Sequence, residues 1–194
     1  MKKVGIVAGA FKPYHAGHHK MVEIACKEND VVHVIVSLSD RSRQNEPVVT
    51  GAQMEDIWND HLAQILPENA KDNLQLLPAG QAPVRIVYEM LENESECNST
   101  DVFSIYSDPR DINRYNSKSL IRTIAADFVA TNISRRPVSI EETVNVRGED
   151  MRKWMSTRDK KNFLNGLPEP LTENSKEQIW YKLVGPDVKS FPAA

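Results

Sequence analysis

One stretch near the N-terminus constrains the fold more than any other. Gly9-Ala10-Phe11-Lys12-Pro13-Tyr14-His15-Ala16-Gly17-His18 lies between an apolar run, Val4 to Ala8, and a helix-patterned run, His19 to Cys26. The apolar run is continuous rather than alternating, as expected of a parallel strand buried on both faces. Strand, glycine-bearing turn and helix start form a geometry that binds anions. First-turn N–H groups of a helix lack partners, and the helix dipole favours negative charge there. Gly9 and Gly17 let the backbone come close to a ligand. Lys12 sits at the turn. His15 and His18 are three apart, so on a first helical turn they share a face. The combination reads as a pocket for several phosphates, with donors able to follow charge onto a departing pyrophosphate.

The rest of the chain alternates between strand and helix signals. Val31 to Leu38 is a β-branched run, and His33 within it reads as a packed strand residue. Thr50 to Gln53 fits a capping box ahead of a helix carrying Met54, Ile57, Leu62, Ile65 and Leu66. His61 on that helix has no motif and reads as structural. Pro67 and the polar run to Asn73 should end it. Leu74 to Leu77 is a short strand, and Pro83 suits the first turn of the next helix. Asp101 to Tyr106 is another strand. Ser117 could cap a helix with Leu120, Ile121, Ile124, Ala125 and Phe128 inward. Ser139 to Val146 is the last expected strand. Short helices follow at Met151–Met155, Asp159–Leu164 and Thr172–Leu183. Such alternation predicts an α/β fold, a Rossmann-like parallel sheet with helices on both faces. We expect one domain over 1–194, with 151–194 as its helical C-terminal extension.

Open α/β sheets bind ligands beyond the C-terminal ends of their strands. Two polar loops fall there. Asp40, Arg41 and Arg43 follow the second strand, and Asp108 and Arg110 follow the strand ending near Tyr106. These are substrate-binding candidates by place.

Gly-x-Phe-x-Pro-x-His-x-Gly-His resembles the signature of the nucleotidyltransferase superfamily with the His-x-Gly-His motif. That superfamily includes adenylyltransferases of nicotinamide mononucleotide and phosphopantetheine, and small cytidylyltransferases. Gly9, Phe11, Pro13, His15, Gly17 and His18 match it. The resemblance implies a nucleotidyltransferase-type Rossmann fold, with Gly9, Ala10, Phe11 and Gly17 against the nucleotide. It implies that His15 and His18 bind a triphosphate and stabilise the transition state, with Lys12 taking developing charge. Arg41 to Thr50 also looks like the loop that precedes the next helix in the nicotinamide mononucleotide adenylyltransferases.

The family's second motif, Ile-Ser-x-Thr-x-x-Arg, has its counterpart at Val146 to Arg152. Gly148, Met151 and Arg152 fit its common form. Arg147 and Glu149 stand where the family has serine and threonine. Hydroxyls there hold phosphate oxygens, and a carboxylate repels them. Arg147 could restore a donor, Glu149 could cap the helix, and Arg152, one turn on, could clamp the triphosphate.

The function implied is transfer of a nucleoside monophosphate from a nucleoside triphosphate to a small phosphorylated acceptor, with pyrophosphate released. The loop at Arg41 to Thr50 favours adenylyl transfer to nicotinamide or nicotinate mononucleotide. A cytidylyltransferase making a CDP-alcohol or CDP-sugar is the near alternative. A non-catalytic nucleotide-binding protein is the alternative of another class. Mg²⁺ is expected to arrive with the triphosphate and to use mostly substrate and water ligands. No metal ligand set is read from the chain itself. Two imidazoles imply pH dependence near neutrality.

Composition narrows the setting. The chain has 194 residues and a formal net charge of −3, which gives no reason to expect a nucleic-acid partner. Lys2 and Lys3 precede an apolar run, but Lys12, Pro13 and the histidines interrupt it too early for a signal peptide. No run is long and apolar enough to span a membrane. Cys26 and Cys97 make no zinc spacing and ask for no oxidising compartment. A cytoplasmic location is expected. The oligomeric state stays open, a homo-oligomer included.

Overall fold

The computed structural model describes residues 1–92, 100–115 and 132–186. Cys97 and the helix expected after Ser117 lie outside the described residues. Five parallel strands form one sheet: β1 (Lys3–Gly9), β2 (Val31–Ser37), β3 (Leu74–Leu77), β4 (Val102–Ser107) and β5 (Asn132–Pro137). Their order is β3-β2-β1-β4-β5. β1 is central, with Val7 opposite Val34 on one side and Tyr106 on the other. The expected α/β architecture is present, and the phosphate-loop candidate leaves the C-terminal end of the central strand.

Alternate residues of the strands face two different cores. Val7, Val34, Val36 and Tyr106 pack with helix α1 (Ala16–Glu28), α2 (Gly51–Ile57) and the C-terminal helices α5 (Gly148–Ser156), α6 (Lys160–Gly166) and α7 (Glu173–Val184). Ile6, Ile35, Phe103 and Ile105 pack against α4 (Pro83–Glu92). A sheet covered on both faces needs apolar residues at every position, hence the continuous runs of β1 and β2. Trp58 and Trp180 are fully buried in the first core, and Trp154 packs at its edge. Burying side chains of that size contributes roughly 1.5–3 kcal/mol each.

The boundaries follow local chemistry. Thr50 Oγ1 accepts from Gln53 N at 3.1 Å and the Gln53 side chain accepts from Thr50 N at 2.9 Å, the capping box the sequence implies. α2 then widens into a π turn, Trp58–Leu62, and tightens over Ala63–Ile65. Gly51 is required there: a Cβ would lie 1.6 Å from the Leu38 carbonyl oxygen.

Two expectations are corrected. The stretch after Pro67 is not only a stop signal, because it forms α3 (Glu68–Lys71). Asn69 Nδ2 donates to the carbonyls of Cys26 and Asn29 at 3.0 Å each, which ties α3 to the end of α1. The last strand is Asn132–Pro137, not Ser139 to Val146, which is a turn-containing loop. β5 lies at the edge of the sheet with a half-exposed face. It therefore carries Arg135, Arg136 and a terminal proline, a composition an edge strand tolerates and a central one does not.

Candidate active site

The chain leaves β1 at Gly9 and turns into α1 through residues packed on one another. Phe11 has φ +48°, an uncommon conformation for a non-glycine residue and one that clusters at functional turns. Its ring lies 4.8 Å from that of His18 and 5.6 Å from that of Tyr14. Gly9 is needed for this fold-back, since a Cβ would stand 2.9 Å from the Phe11 ring.

His15 is the N-cap of α1. Its Nδ1 accepts from Gly17 N at 3.2 Å. That bond uses the Nδ1 lone pair, so the neutral ring carries its proton on Nε2. The rings of His15 and His18 are stacked with centroids 3.6 Å apart. Gly17 permits this closeness. A Cβ there would meet the Val146 carbonyl oxygen at 2.9 Å and the His15 ring at 3.1 Å. Burial, with Arg152 close by, pushes the His15 imidazole down to about 3. Burial also pushes His18 well below the ordinary range, reinforced by His15 and Arg152. Both rings are therefore neutral at pH 7. The expectation that they titrate near neutrality is corrected by their desolvation.

These histidines open on a cleft of about 390 Å³. Arg41, Arg43, Arg110, Arg114, Arg147 and Arg152 line it, brought together from the loops after β2 and β4 and from the start of α5. Asp108, Asp111 and Glu149 offset part of that charge. A cleft walled by guanidinium groups fits a polyanion, because Arg pairs two oxygens of a phosphate at once. A smaller cavity of about 220 Å³ adjoins it, with Ala10, Phe11 and Lys12 in its wall beside His18, Arg41 and Arg152.

The sequence candidates divide into those that line the cleft and those that do not. His15, His18, Gly17, Arg41, Arg43, Asp108, Arg110, Arg147, Gly148 and Arg152 line the larger cleft. Lys12 is buried, and its ammonium donates to Ala10 O at 3.2 Å and to Ser37 O. Desolvation lowers its pKa from 10.5 to about 8. Asp40 accepts from Gly51 N at 2.7 Å and lines neither cavity, so its place is at the start of α2. Met151 is a core residue with no exposed surface. Asp150, rather than Glu149, caps α5: its carboxylate accepts from Arg147 N at 2.9 Å. Glu149 is exposed at the cleft, 3.9 Å from Arg147 Nη1.

Three residues escaped the sequence reading. Asp111 and Arg114 line the cleft from the turn after Arg110, where Arg114 lies one turn beyond Arg110. Glu46 pairs with two of the arginines. Its Oε2 is 2.7 Å from Arg41 Nη2 and 3.0 Å from Arg152 Nε. A carboxylate between Arg43 and Pro47 in the candidate loop was the available signal.

No protein-family model matches the sequence, and no curated protein matches it significantly. Solved structures do match. The bifunctional NMN adenylyltransferase/ADP ribose pyrophosphatase of Francisella tularensis superposes with a TM-score of 0.53 at 14% identity, covering 95% of this chain and 53% of that one. The nicotinic acid mononucleotide adenylyltransferase of Plasmodium falciparum, solved with NaAD, superposes with a TM-score of 0.56 at 12% identity, covering 92% of this chain and 95% of that one. The chain shares the α/β fold of these two proteins. It spans about half the length of the Francisella protein and nearly all of the Plasmodium one. Among the described residues, no helix is long and apolar enough to cross a membrane.

Proposed function

We propose that the chain is a nucleotidyltransferase that moves an adenylyl group from ATP to nicotinamide or nicotinate mononucleotide. One observation carries the proposal: a stacked, neutral histidine pair at the start of α1 opens on an arginine-walled cleft beyond the central strand. The fold shared with two mononucleotide adenylyltransferases supports the choice of acceptor.

The reaction is direct. A phosphate oxygen of the acceptor attacks the α-phosphorus of ATP. The bond to the β-phosphate breaks, a phosphoanhydride forms and pyrophosphate leaves. Catalysis consists of positioning and charge stabilisation. His15 presents Nε2–H as a neutral donor, and His18, stacked on it and lining the same cleft, is the second donor. Arg152 reaches in from α5, with Arg147 at the N-cap position supplying the donor that serine supplies in the family motif. Lys12 adds positive charge from the smaller cavity. Arg43, Arg110 and Arg114 remain for the acceptor phosphate. Among the described residues no cluster of three or more His, Cys, Asp or Glu could hold a metal. Mg²⁺ is taken to enter on the triphosphate, held by phosphate oxygens and water, and to neutralise part of its charge.

The test is pyrophosphate release with Mg²⁺, with ATP and CTP assayed separately across phosphorylated acceptors. ATP with nicotinamide or nicotinate mononucleotide should be the productive pair. His18→Ala should lower kcat by about 10²–10³, the loss typical of removing one such donor. CTP with an alcohol or sugar phosphate would move the substrate. Nucleotide binding without release from any pair would make the protein a binder, and Glu149→Thr at the cleft would be the first substitution to make.

A further inference from the structure

We propose that Glu46 is a positioning residue for triphosphate binding, setting Arg41 and Arg152 at the angle the phosphates need. The inference rests on the nucleotide-binding part of the function above.

Arg41 and Arg152 come from separate segments, one from the loop after β2 and one from α5. Both line both cavities, whereas Glu46 lines neither. The carboxylate therefore touches both arginines without itself walling either cavity. A single oxygen, Oε2, serves both. It lies 3.2 Å from Arg41 Nε, 2.7 Å from Arg41 Nη2 and 3.0 Å from Arg152 Nε. Arg152 Nη1 donates to the Lys12 carbonyl at 3.1 Å. Nη1 of Arg152 is engaged on the protein side, and its Nε is paired with Oε2 by charge without a hydrogen bond, which leaves Nη2 to meet a phosphate.

The loop is built to hold Glu46 there. Arg41 and Val49 exchange two backbone hydrogen bonds, Arg41 N to Val49 O at 2.8 Å and Val49 N to Arg41 O at 3.0 Å. Glu46 N donates to Arg43 O at 3.1 Å within the enclosed turn. The side chains of Arg41 and Arg152 are 18% and 13% exposed, so solvent screens their mutual repulsion poorly. One carboxylate between them offsets that repulsion and fixes two flexible side chains at once. The arginines hold the Glu46 carboxyl below its ordinary range in return, although burial opposes this.

The experiment is a double-mutant cycle read by calorimetric titration with ATP and, separately, inorganic triphosphate. Wild type, Glu46→Gln, Arg41→Ala and the double variant are compared, well below the melting temperature of the least stable. Glu46→Gln should weaken ATP binding about tenfold and raise KM for ATP while leaving KM for the acceptor unchanged. In the Arg41→Ala background the same substitution should weaken binding at most threefold, because half of what it positions is gone. Unchanged or tighter binding by Glu46→Gln would overturn the proposal and make the carboxylate a repelling group. A loss that simply adds to that of Arg41→Ala would overturn it too. If Glu46→Gln does not fold, Glu46→Asp replaces it in the same cycle, read the same way. A wild-type chain that binds ATP but releases no pyrophosphate refutes the transfer reaction and leaves the cycle to decide on Glu46. A wild-type chain that binds neither probe refutes both.

Discussion

His15 and His18 face an arginine-rich cleft as neutral rings, and this sets the pH behaviour of the site. Protonating either one would place a cation in a desolvated pair beside Arg152. The free enzyme should therefore show no acid limb near 6.5 in kcat/KM. Lys12 is different, since its ammonium loses its proton at about 8 rather than 10.5. Activity that needs this charge is present below pH 8 and is lost as pH rises through it. The pH profile of kcat/KM should fall on the alkaline side near 8, and Lys12→Arg should move that limb upward. An acid limb near 6.5 that disappears in His15→Asn would restore titrating imidazoles and contradict this reading. The sequence revealed the pair but not its protonation. Motif spacing carries no information about desolvation, which comes from Phe11, Tyr14 and the α5 wall packed around the rings.

At the scale of elements, the cleft depends on how α2 and α5 dock. The start of α2 lies against the Leu38 carbonyl and is bonded to Asp40, so β2 and α2 together frame the Arg41 loop. Gly51→Ala must part them, at a cost of at least about 2 kcal/mol for forced overpacking. Urea unfolding should show the loss, and KM for ATP should rise with it as the loop shifts. Near wild-type stability would mean that the close contact relaxes without consequence. Helix starts were legible because caps are local: Thr50, Asp159 and Thr172 each accept a backbone N–H at the N-cap. β5 was not legible. Its Asn-Ile-Ser-Arg-Arg-Pro has a single β-branched residue and no alternation, and its pairing with β4 is what makes it a strand. Arg136 is also employed there, since it pairs with Glu28 at 3.1 Å and Glu142 at 2.7 Å and so ties the following loop to the end of α1.

At the scale of the molecule, the parallel sheet and the position of the phosphate-binding turn followed from the chain's alternation and its first motif. The walls of the cleft did not. Arg114 and Glu46 converge with Arg152 from segments far apart in sequence, and no local pattern announces such a meeting. Asp40 and Met151 show the reverse, residues that fit a site by place or motif yet hold α2 and the core. The central claim is transfer of the α-phosphoryl group with its nucleoside, and isotope placement tests it most directly. ATP labelled at the α-phosphorus or at the γ-phosphorus is incubated with Mg²⁺, nicotinate or nicotinamide mononucleotide and the protein, and the products are separated. The α-label should appear in the dinucleotide and the γ-label in pyrophosphate. A γ-label in the acceptor, or both labels remaining in ATP while ATP binds, would contradict it.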